Sequence, residues 1–154
     1  MIDNPIFATF TEKQVIRHDF NEQLENSFER SIDNFRHFKN LLNRKVFKKS
    51  YHRYPNKQLK MFVVHEKSKL GRHHIHSVIE KPEWFDEQNY ENLIRNLWDK
   101  TDYGYRQIWF DRPPTDQDHV NWVRYCLKET EVNYRKSNDN DTNGWINLDC
   151  TYLG

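Results

Sequence analysis

The sequence predicts an α+β fold in which helices cover one face of an antiparallel sheet. Two patterns carry that prediction: short runs of alternating apolar and polar residues, and longer runs with apolar residues every three or four positions. A third observation is their order, which reads β-α-β-β-α-β before one further helix and strand. At 154 residues the chain is sized for one domain, and the modest 36% hydrophobic content includes 15% aromatics that supply bulky core residues.

Residues 6–10 read as the first strand. Asp19 offers an N-cap with Glu22 three residues later, and Phe20, Leu24, Phe28, Ile32 and Phe35 continue at helical spacing towards Leu42. Residues 44–57, with Pro55 and Asn56, read as a basic loop. Met61, Phe62, Val63 and Val64 mark a strand over 59–66, and Gly71 marks a hairpin turn into a strand over 73–80. Asp86 begins a second helix whose Tyr90, Leu93, Ile94, Leu97 and Trp98 share a face. Residues 105–110 form a strand stopped by Pro113 and Pro114, after which Thr115 caps a third helix. Residues 135–144, rich in Asn and Asp, read as a flexible loop. Ile146, Leu148, Cys150 and Tyr152 then alternate as a last half-buried strand. The core order is the split βαβ, or ferredoxin-like, arrangement, with helices on one face, plus an extra C-terminal helix and a final strand. Such a fold hosts many functions, so activity must be read from the site.

No run approaches the roughly 18–20 apolar residues of a membrane span, and the N-terminus lacks the pattern of a secretory leader. Two cysteines, Cys126 and Cys150, make no disulfide framework, so a reducing cytoplasm is the expected compartment. Net charge is only +1, but its distribution is uneven. No acid falls between Asp33 and Glu66, a stretch holding Arg44, Lys45, Lys48, Lys49, Arg53 and Lys57, and Arg72 follows shortly after. Phe47, Tyr51 and Tyr54 interleave with these cations. Cations hold phosphates and rings stack on unpaired bases, so this segment reads as a nucleic-acid contact.

His74-Ile75-His76 is the most informative triplet. On a strand, alternate side chains share a face, so the two imidazoles stand roughly 7 Å apart along the backbone and can converge on one metal ion. Glu66 lies eight residues before His74 across the expected hairpin and can add a carboxylate oxygen. Two imidazoles and one carboxylate leave coordination positions open, as a catalytic metal requires. His65 and His73 fall in the opposite parity and are expected to be solvated or to face nucleic acid. In the third helix, Val120, Val123 and Leu127 form an apolar stripe; Tyr125 points roughly 170° away, with Lys128 about 60° from it.

Together these residues resemble the HUH endonucleases, particularly the single-tyrosine initiators of rolling-circle replication. Phe62-Val63-Val64-His65-Glu66 followed by His74-Ile75-His76-Ser77-Val78-Ile79 is similar to that family's metal motif, and Tyr125-Cys126-Leu127-Lys128 to its Tyr-x-x-Lys motif. The resemblance spans residues 6–131. It implies a metal-dependent enzyme that nicks and joins single-stranded DNA at an origin, at a hairpin in some cases, through a 5′-phosphotyrosine bond. Glu66, His74 and His76 would hold Mg²⁺ or Mn²⁺, Tyr125 would be the nucleophile and Lys128 its accompanying cation. A partner helicase is implied, since no helicase module is expected within residues 1–154. A second copy would supply the second tyrosine that a full replication cycle needs. Location would follow the host: cytoplasm, or nucleus in a eukaryote. A single-tyrosine transposase and a non-catalytic RRM-like binding module are the alternative readings.

Overall fold

The computed structural model describes residues 2–19, 22–136 and 144–154, and for residues 18, 19 and 128–136 the backbone alone. Its elements are β1 (Pro5–Glu12), β2 (Val15–Asp19), β3 (Glu22–Glu25), α1 (Phe28–Phe47), α2 (Ser50–Arg53), β4 (Met61–Lys67), β5 (His73–Glu80), α3 (Glu87–Trp98), β6 (Gly104–Asp111), α4 (Asp116–Lys136) and β7 (Gly144–Ile146). The described residues thus form an α+β structure with four helices and a five-stranded antiparallel sheet ordered β6-β1-β5-β4-β7. A separate two-stranded ribbon joins β2 to β3.

Strand alternation sorts the side chains. Ile6, Ala8 and Phe10 of β1, Met61 and Val63 of β4, and Ile75 and Ile79 of β5 enter one core with Phe35, Phe38 and Leu42 of α1 and Tyr90, Ile94 and Trp98 of α3. At its centre, Phe10 meets Phe35, Phe38 and Trp98 edge-on, with centroids 5.0–5.5 Å apart. Trp98 Nε1 also donates to the Thr11 carbonyl at 2.9 Å, satisfying the one polar atom that its burial would strand. Each fully buried aromatic contributes roughly 1.5–3 kcal/mol.

α1 and α3 therefore share one face, as expected, while α4 crosses the other. Phe7, on the face opposite this core, packs on His119 and Trp122 of α4, with centroids 4.8 and 5.1 Å away. Trp122 Nε1 ties the helix to Asp111 at 2.9 Å. The side that α4 turns to the sheet carries His119, Trp122 and the buried Cys126, whereas Val120 is exposed. The stripe expected from Val120, Val123 and Leu127 is thus rotated towards Trp122. An aromatic body with a hydrogen-bonded edge outcompetes a smaller valine for that contact.

Three expected elements are corrected. The helix expected from Asp19 starts at Phe28: Ser27 Oγ accepts from Arg30 N at 3.2 Å and caps it. Ahead of it, β-branched Val15 and Ile16 pair with Glu25 and Leu24 in the ribbon. The basic loop over 44–57 is largely helical. Val46 extends the buried stripe of Phe35, Phe38 and Leu42 and carries α1 through Phe47, and the single turn α2 follows Lys48, whose φ is 52°. The last strand is cut short. Asn147 turns inward, Thr151 N bonds to its carbonyl at 2.9 Å, and Leu148 projects into solvent; only Tyr152 re-pairs, with Met61.

Other boundaries agree to within one or two residues. Asp86 and Thr115 cap α3 and α4 as expected. Gly71 takes φ 77° in the turn between β4 and β5, where a left-handed residue is needed. Residues 135 and 136 of the expected loop are helical, and residues 137–143 lie outside the described residues. No described helix is long and apolar enough to cross a membrane.

Candidate metal centre

The hairpin of β4 and β5 builds the site. Its register sets Glu66 opposite His74 and Val64 opposite His76, so Glu66 stands directly across from one imidazole and diagonal to the other. Glu66 Oε2 lies 3.2 Å from His74 Nε2 and 3.0 Å from His76 Nε2, and the two rings are 5.1 Å apart. One ligand atom from each residue falls within 4.8 Å of the others, so the partly buried trio could hold a metal ion. The donor set is two imidazole nitrogens and one carboxylate oxygen, with no fourth protein ligand among the described residues.

The neighbouring strand steadies this arrangement. Thr9 of β1 pairs with His76, and its Oγ1 lies 3.0 Å from His76 Nδ1. That contact fixes the ring while Nε2 faces Glu66, as an outer-shell partner does for a ligating histidine. Hydrogen bonds from His74 and His76 hold the Glu66 carboxyl far below the usual carboxylate range, which favours its ionised form.

The expectation for His65 and His73 is corrected. Both are buried on the α1 side of the sheet, at 0% and 4% exposure. His65 lies in a hydrogen-bonded chain whose direction can be assigned. Cys150 N donates to Asn147 Oδ1 at 3.0 Å, so the Asn147 amide nitrogen faces His65 Nε2 at 2.9 Å. His65 Nδ1–H then donates to Ser31 Oγ at 2.7 Å, and the Ser31 hydroxyl donates to Glu12 Oε2 at 2.6 Å. Burial lowers the His65 pKa to about 3 and raises that of Glu12 to about 7. Among the described residues, Glu12 Oε1 and His73 Nδ1 are buried with no hydrogen-bond partner. Glu12, Ser31 and Asn147 went unseen in the sequence; strict alternation from Glu66 was the available signal that His65 turns inward.

The remaining candidates separate. Tyr125 is 59% exposed on α4, one turn beyond Trp122, whose ring meets His76 edge-on at 5.8 Å. Lys128 continues the same helix, with its side chain outside the described residues. Arg72 lines a groove of about 700 Å³ that also takes in His74, His76, Tyr105, Gln107 and Trp109. Arg44, Lys45, Lys48, Lys49, Arg53 and Lys57 lie instead where α1 leads into β4, at the Met61 end. Five residues of strand, roughly 17 Å, separate that end from Glu66. None of these six is ion-paired among the described residues. Tyr51 is half-buried there, its hydroxyl donating to Asn40 Oδ1 at 2.7 Å.

Compared with protein-family models, curated proteins and solved structures, the chain matches none.

Proposed function

We propose that this protein is a metal-dependent nicking and joining enzyme for single-stranded DNA, with Tyr125 as nucleophile and Glu66, His74 and His76 as metal ligands. The observation that carries the reading is the convergence of those three ligands beneath α4, with Trp122 against His76 one turn from Tyr125. The strand order β6-β1-β5-β4 supports it too, being that of a ferredoxin-like sheet with β7 added at one edge.

A divalent ion bound by the trio would polarise a non-bridging oxygen of the scissile phosphate. Glu66, His74 and His76 fix where that phosphate sits, and Thr9 keeps the His76 ring aligned. Tyr125 Oη attacks phosphorus in line, forming a phosphotyrosine bond as the bond to the 3′-oxygen breaks. The phenol gives up its proton and the departing 3′-hydroxyl gains one, so a later 3′-hydroxyl can reverse the exchange without ATP. An ordinary phenol loses its proton only near pH 10, so a neighbouring cation must favour the phenolate, a role we give to Lys128. The strand must be unpaired for the phenol to align. Replication initiation is the favoured setting, with a helicase and a second copy of the chain as partners.

Exposed Tyr105 and Trp109 on the sheet favour a second reading, a binding module without chemistry. Incubating the protein with single-stranded oligonucleotides and Mn²⁺ separates the two. The enzyme releases a fragment ending in a 3′-hydroxyl and stays attached to the remainder through denaturing electrophoresis. Uncut oligonucleotide throughout would leave only the binding reading standing, and cutting indifferent to chelator would remove the metal from the scheme.

A further inference from the structure

The groove beside the metal ligands has a floor that the chemistry proposed above does not use. On β6, Tyr105, Gln107 and Trp109 alternate with core-facing Ile108 and so share the open face of the sheet. Tyr105 is 53% and Trp109 52% exposed, and Gln107 is exposed between them. Among the described residues none of the three side chains has a hydrogen-bond or ring partner. The Gln107 carbonyl takes the Thr11 hydroxyl at 2.5 Å, which anchors the strand and leaves the carboxamide for another molecule.

The register links this strip to the metal ligands. Thr9 pairs with His76 on one side and with Trp109 on the other. Trp109 is therefore in the same row as His76, two strand spacings or roughly 10 Å away. Thr11 likewise pairs with His74 and bonds to Gln107. That span is about the reach of a nucleotide from its phosphate to a neighbouring base. Successive outward residues on β6 are roughly 6.7 Å apart. This is about twice the ~3.4 Å per-strand rise of duplex DNA, which suits an unstacked, extended strand. Arg72, exposed on the far wall of the groove, supplies a cation for its backbone.

We propose that Tyr105, Gln107 and Trp109 are the specificity-determining strip for single-stranded DNA. Each ring takes the face of one base, and the Gln107 carboxamide reads the edge of the base between. A carboxamide presents one donor and one acceptor together, the pattern that matches adenine N7 and N6. This rests on the nicking reading for the position of the phosphate, but base preference can be measured with no metal and no cut.

The test uses the full chain in chelator and a single-stranded DNA pool of about twelve random nucleotides, followed by anisotropy titrations of the selected sequence and its single-base variants. Tyr105→Ala and Trp109→Ala should each weaken binding about 5- to 150-fold, which is 1–3 kcal/mol at 1.36 kcal/mol per decade. Gln107→Ala should flatten the preference at one position while leaving affinity for the other variants within about twofold. Melting curves matching wild type confirm that these exposed substitutions leave the fold intact. Base preference is read in chelator, where nothing is cut, so loss of cutting and loss of reading are distinguishable. Wild-type affinity in both ring variants, an unaltered preference in Gln107→Ala, the absence of any selected sequence, or tighter binding of the matching RNA would each overturn the proposal.

Discussion

At the scale of single residues, the Glu66, His74 and His76 trio was legible because parity and hairpin register suffice to bring the three side chains together. His74 and His76 share a face on any strand, and a turn of the length set by Gly71 brings Glu66 opposite His74. Thr9 was not legible, since the pairing of β1 with β5 joins residues 67 positions apart. Removing either histidine or Glu66 deletes one of three donors. His74→Ala, His76→Ala and Glu66→Ala should each lower Mn²⁺ affinity at least tenfold by titration calorimetry. Thr9→Val, which loses only the outer-shell contact, should cost about 10- to 100-fold in metal affinity or activity. An unchanged affinity in Thr9→Val would mean that the ring is held by packing on Trp122 instead.

At the scale of elements, the chain from Glu12 to Asn147 ties β1, α1, β4 and the C-terminal segment together beneath the site. Its two ionisable members make opposite contributions to stability. The Glu12 pKa rises on folding from 4.5 to about 7, so its contribution is intact below pH 4.5 and is lost as pH climbs through about 7. The shift corresponds to about 3 kcal/mol. His65 falls from 6.5 to about 3, so its contribution is intact above pH 6.5 and is lost as pH falls towards 3. Glu12→Gln removes the first slope only. Urea melts should show the variant gaining on wild type as pH rises from 5 to 8, whereas a pH-independent difference would show that burial of the carboxylate is not the cause.

Gly104 belongs at this scale as well. A Cβ there would collide with the Trp98 carbonyl and the Thr101 hydroxyl where α3 turns into β6. Gly104→Ala should therefore destabilise by about 2 kcal/mol or more, read as a lowered urea midpoint, because one colliding atom is backbone. The sequence showed the helix and the strand on either side, but their close approach depends on Trp98 being drawn into the core. The ribbon of β2 and β3 was missed for a related reason. Phe20, Leu24 and Phe28 keep helical spacing, yet the Ser27 cap and the β-branched pair before it decide the structure.

At the scale of the whole molecule, the cations of the acid-free stretch and the Glu66, His74 and His76 trio occupy opposite ends of the sheet. The acid-free stretch was visible in the sequence, but its distance from the site was not, because α1 spans the sheet before the chain enters β4. Under the proposed function, this separation suits a strand, or a flanking duplex, held at the Met61 end while another part would be cut at the Glu66 end. Replacing Lys48, Lys49 and Arg53 with alanine should weaken DNA binding and lower the salt slope by roughly 2, near 0.7 per cation. The position of the cut should not move. A triple variant with undiminished affinity would remove that surface from the binding path.

The most direct measurement is to trap the protein on a single-stranded oligonucleotide with Mn²⁺, digest the complex and map the modified peptide by mass spectrometry. The expected product is a nucleotide joined through its 5′-phosphate to Tyr125, absent from Tyr125→Phe and from His76→Ala. A nucleotide mapped to any other residue, or a Tyr125→Phe protein that still couples to DNA, would contradict it.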